Sequence, residues 1–162
     1  MSDQRLYQLA VETGAALKAR SFALVTAESC TGGWIGAAVT MVPGSSEWYE
    51  RGFITYTNIA KCEMLAVRAE TLETYGAVSE QTVREMAAGA LAASHAHVAV
   101  AVSGVAGPGG GTSAKPVGMV CLAWALKHGS VVAEMRQFGG DRESVRRQTV
   151  ERALEGVLSL IR

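Results

Sequence analysis

Apolar residues near the C-terminus recur at three- and four-residue intervals, which is the spacing of one buried stripe on a helix. The stripe consists of Val150, Ala153, Leu154, Val157, Leu158 and Ile161. Asp141 precedes this stretch, and its carboxylate is suited to cap the first turn of a helix. The pattern therefore predicts a long closing helix that packs one face against the rest of the protein.

Unbroken apolar runs alternate with further helical patterns in the preceding 140 residues. The predicted strands are 22–26, 51–57, 97–103, 117–126 and 131–138. The last two form an antiparallel hairpin around the turn 127–130. The predicted helices are about 3–20, 34–41, 59–66 and one that opens at Ser79. Ser79 can cap this last helix while Val78 packs on Val83 as a hydrophobic staple.

Helices that alternate with buried strands, followed by a terminal hairpin, predict an α/β fold class. We expect a single three-layer α/β/α domain over residues 1–162, with a mixed, mostly parallel sheet. Ligands of such open sheets bind at the carboxyl ends of the strands. Two glycine-rich segments, 28–33 and 104–111, follow predicted strands. Both are therefore expected at the edge of the sheet where a ligand binds.

Charge and cysteine content narrow the possible functions. Lys plus Arg and Asp plus Glu number 15 each, so the basic surplus typical of proteins that bind nucleic acid or anionic membranes is lacking. Three widely spaced cysteines indicate reduced thiols and not a disulfide framework. The first nine residues lack the apolar core of a signal peptide, and no run reaches membrane-spanning length. We expect a soluble cytoplasmic protein with no nucleic-acid or membrane partner.

The segment Glu28-Ser-Cys-Thr-Gly-Gly33 joins a predicted buried strand to a helix. A side chain in such a turn is held rigidly, and the amides at the start of a helix can stabilise an oxyanion. This indicates Ser29 as a nucleophile, with amides of Thr31, Gly32 and Gly33 as the oxyanion site. The alternative is a structural N-cap followed by glycines for close packing. Should Ser29 not be the nucleophile, Cys30 is next, since a helix start can lower a thiol pKa.

A serine nucleophile needs a base, and the three histidines lie outside the segments predicted to face the site. Lysine remains, because burial lowers its pKa and frees the amine to accept a proton. Lys61 lies in the helix that follows the strand carrying Tyr56, so the two side chains could converge on one point. On spacing alone, a solvated Lys61 is the alternative.

Five glycines between residues 104 and 111 allow backbone amides to approach an anion closely. The segment lacks the lysine of a phosphate-binding P-loop and does not match the dinucleotide-binding pattern. A single phosphate is therefore the indicated ligand, with a loose surface loop as the alternative. Arg142 and Arg146 lie four residues apart on the last helix and could add positive charge, or else be solvated or pair with Glu143 and Glu151. No metal-ligand cluster is present in the sequence, so we expect no metal and no cofactor.

Several motifs together resemble the CinA C-terminal family. They are Glu28-Ser-Cys-Thr-Gly-Gly33, Val42-Pro-Gly-Ser-Ser46, Tyr56-x-Asn58-x-x-Lys61, Tyr75-Gly-Ala-Val-Ser79, Gly104-Val-Ala-Gly-Pro-Gly-Gly-Gly111, Lys115-Pro-Val-Gly118 and Asp141-Arg-Glu-x-Val-Arg146. The resemblance extends in order over nearly the whole chain. It implies an enzyme of pyridine nucleotide salvage that hydrolyses the carboxamide of nicotinamide mononucleotide to a carboxylate and ammonia, without a metal.

The resemblance also implies roles for particular residues. Ser29 would be the nucleophile, with Lys61 and Tyr56 handling protons. The substrate-binding set would extend from the glycine loop to the last helix: Ser103, Gly104, Gly107, Gly109, Gly110, Arg142 and Arg146. We also expect a homo-oligomer, a dimer or larger. The competing interpretation is a non-catalytic mononucleotide-binding module with a regulatory role, which would not need Ser29, Tyr56 and Lys61 together.

Overall fold

Helices and strands alternate along most of the chain in the computed structural model, which describes residues 2–162. In chain order they are α1 (Ser2–Ala19), β1 (Leu24–Glu28), α2 (Trp34–Val39), β2 (Tyr49–Ile54), α3 (Asn58–Leu65), α4 (Ala69–Tyr75), α5 (Glu80–Ala92), β3 (Val98–Gly104), β4 (Met119–Leu126), β5 (Val131–Gln137) and α6 (Arg142–Ile161). A short 3₁₀ turn, Ser45–Glu47, precedes β2.

The strands form one sheet in the order β2-β1-β3-β4-β5. β1 lies between β2 and β3 and pairs with both in parallel, whereas β4 pairs antiparallel with β3 and β5. Four of the five strands therefore point the same way. This confirms the mixed sheet and the terminal hairpin that the sequence predicts. The parallel pairs lie in the half of the sheet formed by β2, β1 and β3.

Helices cover both faces of the sheet, which confirms the three-layer architecture. Val98, Val100 and Val102 of β3 pack in one buried cluster with residues of α1, α2 and α6. The alternate residues Ala99 and Ala101 pack in a second cluster with α3 and α5. β3 is buried on both faces, as its unbroken apolar run predicts.

Both helix caps predicted from the sequence are present. Ser79 Oγ accepts a hydrogen bond from the Thr82 amide at 3.1 Å, and Asp141 Oδ1 accepts one from the Ser144 amide at 2.9 Å. The boundaries of the first two strands differ from the prediction. Phe22 stacks on His97 before β1 begins, and Thr57 leaves β2 to cap α3. α4 was not predicted from the sequence, because its single buried residue leaves no apolar stripe.

None of the helices within residues 2–162 is both long enough and apolar enough to cross a membrane.

Candidate active site

A cavity of about 290 Å³ opens at the carboxyl ends of β1 and β3. The polar and glycine residues that line it are Ser29, Tyr56, Asn58, Lys61, Ser103, Gly104, Gly107, Gly109, Gly110 and Arg142. All of them except Asn58 belong to the site predicted from the sequence. The structure thus brings together residues from four separate segments of the chain at the edge of the sheet where a ligand was expected.

Ser29 and Lys61 are in direct contact in this cavity. Lys61 Nζ lies 2.9 Å from Ser29 Oγ and donates a second hydrogen bond, also 2.9 Å long, to the carbonyl oxygen of Thr55. Lys61 belongs to α3, and Thr57 starts that helix by accepting a hydrogen bond from the Ala60 amide. Lys61 is only 1% exposed, so the alternative of a solvated surface lysine does not describe this structure.

The burial of Lys61 lowers the pKa of its ammonium group, because a charged amine loses hydration inside the protein. The nearby thiols of Cys30 and Cys62 act in the opposite direction and raise the pKa of Lys61. Burial is the larger effect. A lysine with a lowered pKa and a hydroxyl within hydrogen-bond distance can act as a general base towards that hydroxyl.

The amides that were expected to stabilise an oxyanion lie outside the cavity lining. The buried Glu28 carboxylate accepts hydrogen bonds from the Ile35 and Gly36 amides at 2.9 and 3.1 Å, and so occupies the start of α2. The Thr31 hydroxyl also donates to Glu28, while the Gly32 amide donates to the carbonyl oxygen of Ser29. The cavity lining does not include Thr31, Gly32 or Gly33. A carboxylate from the end of β1 takes the place at this helix terminus that was expected for a ligand.

Cys30 does not have the properties expected of an alternative nucleophile. Its side chain is buried, and burial raises the pKa of the thiol to about 12, although its own backbone amide acts in the opposite direction. The expectation of a lowered thiol pKa was therefore wrong. The protonated form of a thiol is a poor nucleophile compared with the thiolate.

Tyr56 and Arg142 form the outer wall of the cavity. Arg142 Nη2 donates a hydrogen bond to the Tyr56 hydroxyl at 3.1 Å, and Nη1 donates to the carbonyl oxygen of Gly107 at 2.8 Å. Tyr56 is 58% exposed, so its phenol lies at the entrance. Arg142 thereby ties α6 to the glycine loop. The alternative, in which Arg142 pairs with an acidic neighbour on α6, does not describe this structure, because Glu143 contacts Arg147 instead.

Arg146 does not reach the cavity, although it lies one helical turn after Arg142. Its guanidinium donates to the carbonyl oxygens of Cys30 and Thr31 at 3.1 and 3.0 Å and lies 5.2 Å from the centre of the Trp34 ring. Arg146 therefore holds the turn that carries Ser29. Its four-residue spacing from Arg142 placed both residues on one face of α6, but their side chains diverge to different targets.

Sequence reasoning did not place Asn58, Ala77 or Val78 in the site, although they also line the cavity. Asn58 begins α3, and its position in the motif around Tyr56 and Lys61 was the available signal. Ala77 and Val78 come from the segment between α4 and α5, and their small apolar side chains carry no chemical signal.

The three histidines lie away from the cavity lining. His97 has a structural role, because its Nδ1 accepts a hydrogen bond from the Ala23 amide at 2.9 Å. Within residues 2–162, no three His, Cys, Asp or Glu side chains are grouped so that they could hold a metal ion.

Comparison with known proteins identifies the family of the chain. The family model for the CinA C-terminal domain matches residues 6–161. The nicotinamide-nucleotide amidohydrolase PncC of Enterobacter agglomerans is 55% identical, over 98% of this chain and 96% of the relative. The PncC protein of Escherichia coli (strain K12) is 52% identical, over 96% of this chain and 94% of the relative.

Solved structures show the same fold. The crystal structure of the competence/damage inducible protein CihA from Agrobacterium tumefaciens matches with a TM-score of 0.95 and 46% identity, and the match covers 98% of this chain and 96% of that one. The matches in sequence and in structure both extend over nearly the whole chain, and the chain belongs to the CinA C-terminal domain family.

Proposed function

We propose that this protein hydrolyses the carboxamide of nicotinamide mononucleotide to nicotinate mononucleotide and ammonia, a reaction of pyridine nucleotide salvage. The observation that carries the proposal is the 2.9 Å contact between the buried Lys61 amine and the Ser29 hydroxyl inside the cavity. The substrate is supported by the two PncC relatives, which are named nicotinamide-nucleotide amidohydrolases.

Ser29 performs the first chemical step with Lys61 as its base. Neutral Lys61 accepts the proton of the Ser29 hydroxyl while Oγ forms a bond to the carboxamide carbon. The carbonyl electron pair moves to oxygen and gives a tetrahedral intermediate. When this intermediate collapses, the bond from carbon to nitrogen breaks, and the nitrogen takes the proton from the Lys61 ammonium group and leaves as ammonia. The product of this half-reaction is an ester between Ser29 and the nicotinoyl group.

Water completes the cycle. Lys61, again neutral, accepts a proton from a water molecule while the water oxygen bonds to the ester carbon. Collapse of the second intermediate returns the proton to Ser29 Oγ and releases the carboxylic acid. The hydrogen bond from Lys61 to the Thr55 carbonyl oxygen keeps the amine in place through both steps.

The other end of the substrate fits the outer part of the cavity. Gly107, Gly109 and Gly110 line the cavity together with the cationic Arg142, and their amides can hold one phosphate. Tyr56 also lines the cavity and accepts a hydrogen bond from Arg142, so its ring can cover the pyridinium ring and its hydroxyl can orient the carboxamide. A bound phosphate would thus hold the carboxamide against Ser29.

The test is the release of ammonia and nicotinate mononucleotide from nicotinamide mononucleotide by the purified protein in the presence of a chelator. We expect the two products in equal amounts. If the protein binds the mononucleotide tightly but releases neither product, the proposed activity is wrong, and a non-catalytic binding module describes the protein instead.

A further inference from the structure

With the start of α2 occupied by Glu28, the proposed reaction needs another group to stabilise its oxyanion. We propose that the Ser103 hydroxyl is this group, assisted by the backbone amide of Cys30. This inference rests on the proposed function and names a donor that acts on the reacting carbonyl oxygen, on the β3 side of Ser29.

The strand register places Ser103 beside Ser29. β1 and β3 are parallel, with Glu28 paired to Val102, and the Ser29 amide continues the ladder by donating to the Val102 carbonyl oxygen at 3.1 Å. Ser103 is thus the next residue across from Ser29. Neighbouring strands lie about 4.8 Å apart, and residues paired in parallel strands project from the same face. The two hydroxyls therefore lie side by side.

That shared face is the one on which Lys61 lies. Ala101 belongs to the buried cluster under α3 and α5, and side chains alternate along a strand, so Ser103 projects towards the same helices. Lys61 comes from α3 and meets Ser29 there. A carbonyl attacked by Ser29 consequently has the base on one side and the Ser103 hydroxyl on another.

The Ser103 hydroxyl is available as a donor. Ser103 is only 1% exposed, yet it lines the cavity, and its hydroxyl makes none of the side-chain hydrogen bonds that the structure shows among residues 2–162. Because the protein does not use this hydroxyl and the residue faces the cavity, a bound ligand can supply its acceptor. The adjacent Cys30 amide follows the nucleophile directly, and Cys30 also lines the cavity.

The alternative position at α2 is unfavourable for an anion. Glu28 brings a carboxylate to that helix start and uses the Ile35 and Gly36 amides. An oxyanion placed there would meet a like charge, and the Ile35 and Gly36 amides already donate to Glu28. On the β3 side the Ser103 O–H meets the carbonyl oxygen as it gains negative charge, and the proton stays on Ser103 throughout, so the step adds no proton transfer to the mechanism.

The first test is the kinetics of Ser103→Ala. Loss of one oxyanion donor lowers kcat by about 10²–10³-fold, whereas KM stays near the wild-type value because the ground-state carbonyl gains little from the donor. Ser103→Cys keeps the volume but provides a weak donor, so it should resemble Ser103→Ala. Ser45→Ala removes another buried serine hydroxyl, outside the cavity lining, and should leave kcat unchanged.

The second test does not depend on turnover. The probe is the mononucleotide in which an aldehyde replaces the carboxamide, because Ser29 Oγ can add to its carbonyl carbon and form a tetrahedral adduct. Calorimetry should show that Ser103→Ala weakens binding of this aldehyde by the same factor by which it lowers kcat. In a Ser29→Ala background, where no adduct forms, Ser103→Ala should have no effect on aldehyde binding.

These outcomes separate the two proposals. Unchanged kcat in Ser103→Ala, a change confined to KM, or aldehyde binding that is insensitive to Ser103 overturns the assignment of Ser103. A wild-type protein that releases no ammonia overturns the proposed function, but the aldehyde measurement still decides the role of Ser103. Wild-type activity with the full loss in Ser103→Ala and Ser103→Cys supports both.

Discussion

Glu28 gives the sharpest prediction about the turn that carries Ser29. Its carboxylate is 2% exposed and accepts three hydrogen bonds, from the Thr31 hydroxyl and from the Ile35 and Gly36 amides. All three of these hydrogen-bond partners are donors. In Glu28→Gln, one oxygen can still serve Thr31 and Ile35, but the new NH₂ group faces the Gly36 amide, donor against donor.

The loss of stability in Glu28→Gln follows from these contacts. A hydrogen bond to a charged group contributes roughly 1.5–3 kcal/mol, and a donor left without a partner adds to the loss. Removal of a desolvated negative charge offsets part of this cost, so we expect a net loss of about 2 kcal/mol in the free energy of unfolding. For a domain of this size, that loss lowers Tm by about 4–8 °C. Because the turn also positions Ser29, kcat should fall by roughly 10- to 100-fold.

Thermal unfolding and steady-state kinetics of Glu28→Gln measure both effects, and Glu85→Gln is the matched control. Glu85 also accepts a backbone amide and a threonine hydroxyl at a helix start, from Arg68 and Thr71, but its side chain is 29% exposed and lies outside the cavity lining. Its substitution should cost less stability and leave kcat unchanged. Equal Tm values for Glu28→Gln and wild type, or equal kcat values, would show that Glu28 does not hold the turn.

Three further predictions concern the cavity. Lys61→Arg should be almost as inactive as Lys61→Ala, because a guanidinium stays protonated, and retained activity in the arginine variant would refute a neutral base. In the wild type, kcat/KM should rise with pH through the lowered pKa of Lys61 and then level off. The mononucleotide should have a much higher kcat/KM than its riboside or free nicotinamide, and Arg142→Ala should reduce that advantage; an equal kcat/KM for the riboside would exclude a phosphate site at Arg142. Chelators should leave turnover unchanged, since the cavity lining contains no cluster of metal ligands; activity that is lost on chelation and restored by one metal would contradict this.

The elements that the sequence predicted best are those in which local signals agree. α6 combines an apolar stripe with the Asp141 cap, and α5 begins at the predicted cap Ser79. α4 had no such support, because Thr71 is its one buried residue and of its other residues only Leu72 packs partly against the core. Helices of that kind are held by their neighbours in the fold, and their own sequence carries little of the information.

In the site, too, local sequence patterns located some residues, whereas other contacts are visible only in the folded structure. The strand-turn-helix pattern identified Ser29, and the glycine loop identified the other side of the cavity. Two contacts could not be derived from the sequence, because they depend on how the chain folds back on itself. They are the hydrogen bonds from the α2 amides to Glu28 and from Arg146 to the Cys30 carbonyl oxygen. For Lys61, spacing alone left a solvated side chain as the alternative, and only the packing of α3 beside the end of β1 shows that the side chain is buried.

In the proposed mechanism Ser29, activated by Lys61, attacks the carboxamide. The most direct measurement compares ammonia release from nicotinamide mononucleotide by the wild type, Ser29→Ala and Cys30→Ala, with a chelator present. We expect an active wild type, a loss on the order of 10⁶-fold in Ser29→Ala with its fold and substrate binding retained, and near-normal turnover in Cys30→Ala. Near-normal turnover in Ser29→Ala, or a loss that follows Cys30 instead, would contradict the mechanism.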